Sequence, residues 1–332
     1  MVATPLQQRL AIAHLLNDKP SDAEGYDVMR GLNQSPKILP ARYFYDDDGS
    51  ELFEQICDLP EYYLTRAETA IFQQYADELV TLTGACEIIE LGSGSSTKTR
   101  LLLDAYQRAK LPLHYSPIDV SAGILQSSAQ QLLQDYPTLQ IQGLVGTYEL
   151  ALQHLPHKLV PRRMICFIGS TLGNLNPVEC EAFLDRIRQA LAPGDFFLLG
   201  VDLQKEPAIL EAAYNDRQGV TAAFNLNILR HLNRRFAGNF DLQQFSHEAL
   251  YNPIAGQIEM HLRSHKFQTV TLEKLGFTCT IAENETILSE ISRKFNLPYL
   301  ELLLASKQLP VQKLWTDPNN WFGLLLCQYC KP

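Results

Sequence analysis

The sequence predicts an α/β protein built on a doubly wound parallel sheet, with a second, smaller α+β part. Three observations carry that expectation. Strand-like apolar runs alternate with helical ones from residue 67 onward, the rhythm of a parallel sheet covered on both faces. The first run ends in a turn of small residues, Gly92-Ser93-Gly94-Ser95-Ser96, that leads into a helix. The fourth, residues 164–169, is apolar throughout, as a strand buried on both faces should be.

Taken in order, residues 67–82 have a helical period, with Ala70, Ile71, Tyr75 and Leu79 on one face. The first strand ends at Gly92, and a helix spans about residues 97–108. A second strand, 114–120, carries Asp119 at its end, and Ser121 caps a helix to about residue 134. Residues 139–145 and 164–169 are the third and fourth strands. Asn176-Pro177-Val178-Glu179 opens a helix with a cap residue, a proline at the first helical position and an acid in the first turn. Residues 196–201 are the fifth strand, after the turn pair Pro193-Gly194.

After Asp202 the rhythm breaks. Residues 203–294 mix helical stretches (208–214, 222–236) with strand-like ones (257–266, 277–282). Residues 1–66 also stand outside the rhythm and are rich in aromatics, including Tyr43, Phe44, Tyr45, Phe53, Tyr62 and Tyr63. The C-terminal piece returns to it, with a helix over 297–309 and a closing strand over 322–329. We therefore expect one part from residues 67–202 and 295–332, and a lid-like substrate part from residues 1–66 and 203–294.

Composition narrows the function. The net charge of -9 argues against nucleic acid, which demands a basic face. No apolar run reaches the roughly 18 residues of a membrane helix, and residues 1–19 show no signal-peptide core. Seven cysteines without framework spacing fit reduced thiols, and we expect a cytoplasmic monomer acting on a small molecule, with no membrane partner. Cys327-x-x-Cys330 is one pair and cannot close a four-ligand zinc site. Asp46-Asp47-Asp48-Gly49 lacks the flanking acids of a calcium loop, and His261 and His265 lack the glutamate of a zinc helix. We expect no metal. No G-x-S-x-G elbow is present for hydrolase chemistry.

The chemistry-bearing features fall at the carboxyl ends of the predicted strands, where open α/β sheets bind ligands. Gly92 and Gly94 let backbone approach a ligand closely, but Thr97 stands where a dinucleotide fingerprint has its third glycine, and no P-loop occurs. Such a turn suits a nucleoside ligand such as S-adenosylmethionine better than a pyrophosphate. Asp119 is placed to accept both ribose hydroxyls, the alternative being a helix cap. Gly169-Ser170-Thr171-Leu172-Gly173-Asn174 leaves the fourth strand as a convergence of polar groups, the alternative being an ordinary loop. Asp202 ends the fifth strand, either to cap the next segment or to orient a neighbour.

Together these residues resemble one family: the histidine-specific, S-adenosylmethionine-dependent methyltransferases of ergothioneine biosynthesis. The likeness spans nearly the whole chain. It rests on Arg42-Tyr43-Phe44-Tyr45-Asp46, Leu59-Pro60-Glu61-Tyr62-Tyr63-Leu64-Thr65-Arg66, Glu90-Leu91-Gly92-Ser93-Gly94 and Phe167-Ile168-Gly169-Ser170-Thr171-Leu172-Gly173-Asn174. It continues through Gly219-Val220-Thr221-Ala222-Ala223-Phe224-Asn225, Ile258-Glu259-Met260, Ser289-Glu290-Ile291-Ser292-Arg293-Lys294-Phe295 and Trp315-Thr316-Asp317-Pro318.

The resemblance implies a Rossmann-like class I methyltransferase fold and transfer of three methyl groups to the α-amino group of L-histidine, giving hercynine. It implies a cofactor set of Gly92, Ser93, Gly94, Lys98, Asp119, Thr147, Tyr148 and Ser170. It puts Tyr45 and Gly169 on the substrate amine, with Tyr45 as the catalytic candidate, steering the lone pair or relaying a proton. Asn174 and Tyr214 would hold the carboxylate. Tyr62, Glu290 and Ser292 would meet the imidazole, and Phe53 and Met260 would wall the pocket. An imidazole offers one donor and one acceptor when neutral, which Glu290 and Ser292 can match from one strand face. Thr147 departs from the pattern: many relatives carry an acid there beside the adenine, so weakened or rearranged cofactor binding is expected. The competing readings are methylation of another aromatic amino acid or amine, a catalytically silent S-adenosylmethionine-binding protein, and a nicotinamide-dependent dehydrogenase.

Overall fold

The computed structural model describes residues 6–15 and 24–331. Residues 1–5 and 16–23, which hold much of the stretch considered for a signal peptide, lie outside the described residues. An eight-stranded sheet forms the centre, in the order Leu10–His14, Gln140–Val145, His114–Asp119, Cys86–Leu91, Arg162–Phe167, Phe196–Asp202, Phe322–Gln328, Val311–Thr316. The first six run parallel. Phe322–Gln328 returns antiparallel to Phe196–Asp202, and Val311–Thr316 antiparallel to it. Every residue of Cys86–Leu91 and Phe196–Asp202 is buried, because helices or the lid cover both faces.

The helices start where capping chemistry lets them. Ser121 accepts from Ile124 N, and Asn176 and Glu179 complete a reciprocal capping box. The helix expected over 67–82 starts earlier and runs Tyr63–Thr83. The fifth strand extends one residue further and includes Asp202.

A four-stranded sheet, in the order Lys37–Ile38, Thr286–Arg293, Gln257–Ser264, Phe245–Asn252, lies in the part expected to be lid-like. Its central strand Gln257–Ser264 alternates strictly between half-buried and buried, so one face packs on helix Val220–Phe236 and the other stays wetter. Gln257–Ser264 and Phe277–Ile281 match strand-like stretches read in the sequence, whereas several other strands went unread, among them Gln268–Leu272, the hairpin partner of Phe277–Ile281, and the edge strand Val311–Thr316. The division into parts remains a proposal, with one correction. Leu10–His14, counted with the lid, is the edge strand of the central sheet, paired with Gln140–Val145. Among the described residues no helix is long and apolar enough to cross a membrane.

Candidate active site

Cys86–Leu91 sits between His114–Asp119 and Arg162–Phe167, the point where chain connections diverge to opposite sides of the sheet. The turns leaving these strands therefore open a crevice at their carboxyl ends. Gly92 has φ 74°. A Cβ there would stand 2.8 Å from the Tyr148 hydroxyl oxygen, so only glycine lets Tyr148 lie across the turn. Gly94 N donates to Asp119 Oδ2 at 2.9 Å, and Ser121 N donates to Asp119 Oδ1 at 2.9 Å. Asp119 thus ties the turn to the next helix, and its carboxylate keeps further lone pairs for a ligand. Ser121, not Asp119, is the helix cap. Ser93 Oγ is buried without a partner, a polar group that a ligand in this crevice would satisfy. Thr147 sits at the cap position of the short helix Tyr148–Gln153 but makes no side-chain cap bond.

Next to this crevice is a narrow cleft. All nine residues assigned above to the substrate line it: Tyr45, Phe53, Tyr62, Gly169, Asn174, Tyr214, Met260, Glu290 and Ser292. Ser170, assigned to the cofactor, lines it too, and its Oγ accepts from Asp202 N at 2.8 Å. Ile56, Leu64, Thr171, Ala213, Thr221 and Phe224 complete the wall without having been singled out. The residues arrive from both parts of the chain. Glu290 pairs across the lid sheet with Met260, beside a bulge in Thr286–Arg293, which sets the two facing the cleft together. Tyr45, Phe53, Tyr62 and Tyr214 form a chain of edge-on rings, with successive centroids 5.9, 6.4 and 6.1 Å apart.

Electrostatics distinguish the acids and phenols. Burial pushes the Glu290 carboxyl up to about 7, with Lys294 pulling it back. Burial, and then Glu290, push the Tyr45 phenol well above its ordinary value, so it stays a neutral hydroxyl. Burial, and then the Tyr214 phenol, do the same for Tyr62.

Two side chains outside the sequence-derived set organise the floor. Glu68, on helix Tyr63–Thr83, is fully buried; it accepts Gly169 N at 2.9 and 3.0 Å and pairs with Lys98. Burial works against the Lys98 charge, and Glu68 more than offsets it. Lys294 is likewise fully buried and pairs with Asp202 at 2.9 Å. Asp202 also takes the Tyr63 hydroxyl at 2.7 Å and Lys205 at 2.5 Å. It therefore orients neighbours, the second of the two roles its position allowed. Lys294 stands within the Ser292-Arg293-Lys294 run, but nothing local signals an inward ammonium.

Comparison with known sequences decides the family. The profile of the histidine-specific, S-adenosylmethionine-dependent methyltransferases matches residues 24–329. The chain belongs to that family. Two similar relatives are histidine N-alpha-methyltransferases. The one from Mycolicibacterium smegmatis is 42% identical over 94% of this chain and 97% of its own. The one from Mycobacterium tuberculosis is 40% identical over 96% and 99%. An ergothioneine biosynthesis protein 1 of Neurospora crassa is 34% identical over 88% of this chain but only 33% of its own length. The central sheet is accordingly the Rossmann-like class I methyltransferase sheet, and the donor this family uses is S-adenosylmethionine.

The crevice fits that donor. It offers a close-approach glycine turn, a carboxylate at the ribose position, an orphaned buried hydroxyl on Ser93, and the Lys98 ammonium.

Proposed function

We propose that this protein transfers three methyl groups from S-adenosylmethionine to the α-amino nitrogen of L-histidine, giving hercynine in ergothioneine biosynthesis. The carrying observation is the pairing of Glu290 and Ser292 on one wall of a cleft that also presents Tyr45, Gly169 and Asn174. The names of the relatives support the same reading.

When bound, S-adenosylmethionine supplies a methyl group made electrophilic by its sulfonium sulfur. The chain supplies the rest. Gly92, Gly94, Asp119 and Lys98 hold the donor, with Ser93, Thr147 and Tyr148 around it. Glu290 accepts from an imidazole N–H, Ser292 serves the other ring nitrogen, and Tyr62 packs beside them. Asn174 and Tyr214 hold the carboxylate. Tyr45 and the Gly169 backbone orient the amine. An α-amino group has an ordinary pKa of roughly 8, so little help is needed to free its lone pair. Tyr45, a neutral phenol, steers that lone pair rather than acting as a strong base. Alignment in a cleft lined by aromatics is the main catalytic device. A cytoplasmic monomer acting on small molecules remains part of this reading, supported by the charge of -9 and seven free cysteines.

The test is a substrate screen over the twenty amino acids with S-adenosylmethionine, read by mass spectrometry. A trimethylated histidine is the expected product. Preferential consumption of tryptophan or tyrosine would defeat the assignment.

A further inference from the structure

We infer that Lys294 is a positioning residue for substrate recognition: it donates to both the Tyr214 and Ser292 hydroxyl oxygens, so that this hydrogen-bonded pair keeps one hydrogen between its oxygens and offers the other to the cleft. Offered by Ser292, that hydrogen is received by an unprotonated ring nitrogen. The inference rests on the cleft being a histidine site, and it goes further by specifying the form of the ring that is read.

An ammonium has three donors and no acceptor. All three of Lys294 are used: Tyr214 Oη at 3.0 Å, Ser292 Oγ at 2.8 Å and Asp202 Oδ2 at 2.9 Å. Two of its three acceptors are therefore hydroxyls that line the substrate cleft. Those hydroxyls are hydrogen-bonded to each other at 2.8 Å, so one of them donates to the other. Each has a lone pair committed to Lys294, and the nearby positive charge favours dipoles with the hydrogen pointing away. A cationic imidazolium beside Ser292 would meet that same charge at close range, inside a site with little solvent to screen it. A neutral ring would not. Its lone-pair nitrogen faces Ser292 and its N–H faces Glu290.

The surroundings make Lys294 separable from the fold. Asp202 keeps Lys205 and Tyr63 as partners when Lys294 is lost, so Lys294→Met does not strand that carboxylate, although it removes the charge that pulls the Glu290 carboxyl down.

The experiment has two arms on the full chain. Calorimetry measures histidine and S-adenosylhomocysteine binding to the wild type, Lys294→Met, Ser292→Ala and the double variant. Lys294→Met is expected to weaken histidine about tenfold or more while leaving S-adenosylhomocysteine within about twofold. The double variant should bind histidine scarcely worse than Lys294→Met alone, because Lys294 acts partly through Ser292. Unchanged histidine affinity, or a parallel loss for both ligands, would overturn the inference. The second arm needs no variant. Nitrogen NMR of ring-labelled histidine bound to the wild type with S-adenosylhomocysteine should show one protonated and one unprotonated ring nitrogen. Two protonated nitrogens would overturn it. A wild type that fails to bind histidine removes the functional reading itself, whereas a binding wild type with an indifferent Lys294→Met removes only this step.

Discussion

The carboxyl group of Glu290 stands half-buried on the cleft wall, where water solvates it poorly, and this has a cost that depends on pH. Its folded-state value is pushed up to about 7, above the ordinary 4.5, by burial. A raised carboxyl pKa means the folded state holds its proton longer than the unfolded chain. The associated stability is fully present below about 4.5 and is lost as pH climbs through about 7. Glu290→Gln removes that dependence. Without ligand, the stability of the variant relative to the wild type should rise between about pH 5 and pH 8, by up to about 3 kcal/mol. Paired thermal melts across that range check it; a difference that stays flat with pH would refute it. The same substitution should weaken histidine binding, since an amide cannot replace the carboxylate as an acceptor for the ring N–H without also presenting donors of its own.

In the strand Phe196–Asp202 a single glycine interrupts a run of large apolar side chains. The reason lies on a neighbouring helix. A Cβ on Gly200 would stand 2.1 Å from Glu68 Oε1, and Glu68 cannot swing away freely because Gly169 N and Lys98 hold it. The missing side chain thus makes room for the acid that links helix Tyr63–Thr83 to the loop after Arg162–Phe167. Gly200→Ala should displace that carboxylate, destabilise the fold by about 1–3 kcal/mol and weaken S-adenosylhomocysteine through Lys98. Denaturant unfolding and calorimetry read the two effects. Full donor affinity in a well-folded Gly200→Ala protein would show that Glu68 does not position Lys98. The element also explains how the cleft is closed from below: Phe295 N donates to Asp202 O at 2.8 Å, and Gln204 N to Phe295 O at 3.1 Å, so the end of the lid strand is stitched to the end of the sheet strand.

Across the whole molecule, sheets and cores divide differently. The lid has its own four-stranded sheet, yet one continuous apolar core runs from Val28, Phe224, Met260 and Ile287 to Cys86, Leu102 and Phe196. A second cluster, around Ile89, Phe167, Phe183 and Leu325, covers the opposite face of the central sheet. A shared core and a cleft built from both parts predict a single cooperative unfolding transition. Saturating histidine and S-adenosylhomocysteine should raise that one midpoint together, each at 100-fold excess over its Kd adding about 2.7 kcal/mol. Scanning calorimetry checks this, and two separate peaks would show that the lid melts alone.

Contiguous residues alone determined the strand-turn-helix at Gly92 and the capped helices after Ser121 and Asn176, while the nine cleft residues came from the family resemblance that their motifs carry. The turn and the caps are local patterns, in which neighbours in the chain carry the whole signal. Leu10–His14 could not be read, since a short edge strand is defined by its partner Gln140–Val145, far along the chain. Neither Glu68 nor Lys294 carries a local signal of its burial. Only the tertiary structure turned both inward, because a buried charge is tolerated solely where distant groups, Gly169 and Lys98 for one and Asp202, Tyr214 and Ser292 for the other, converge to satisfy it.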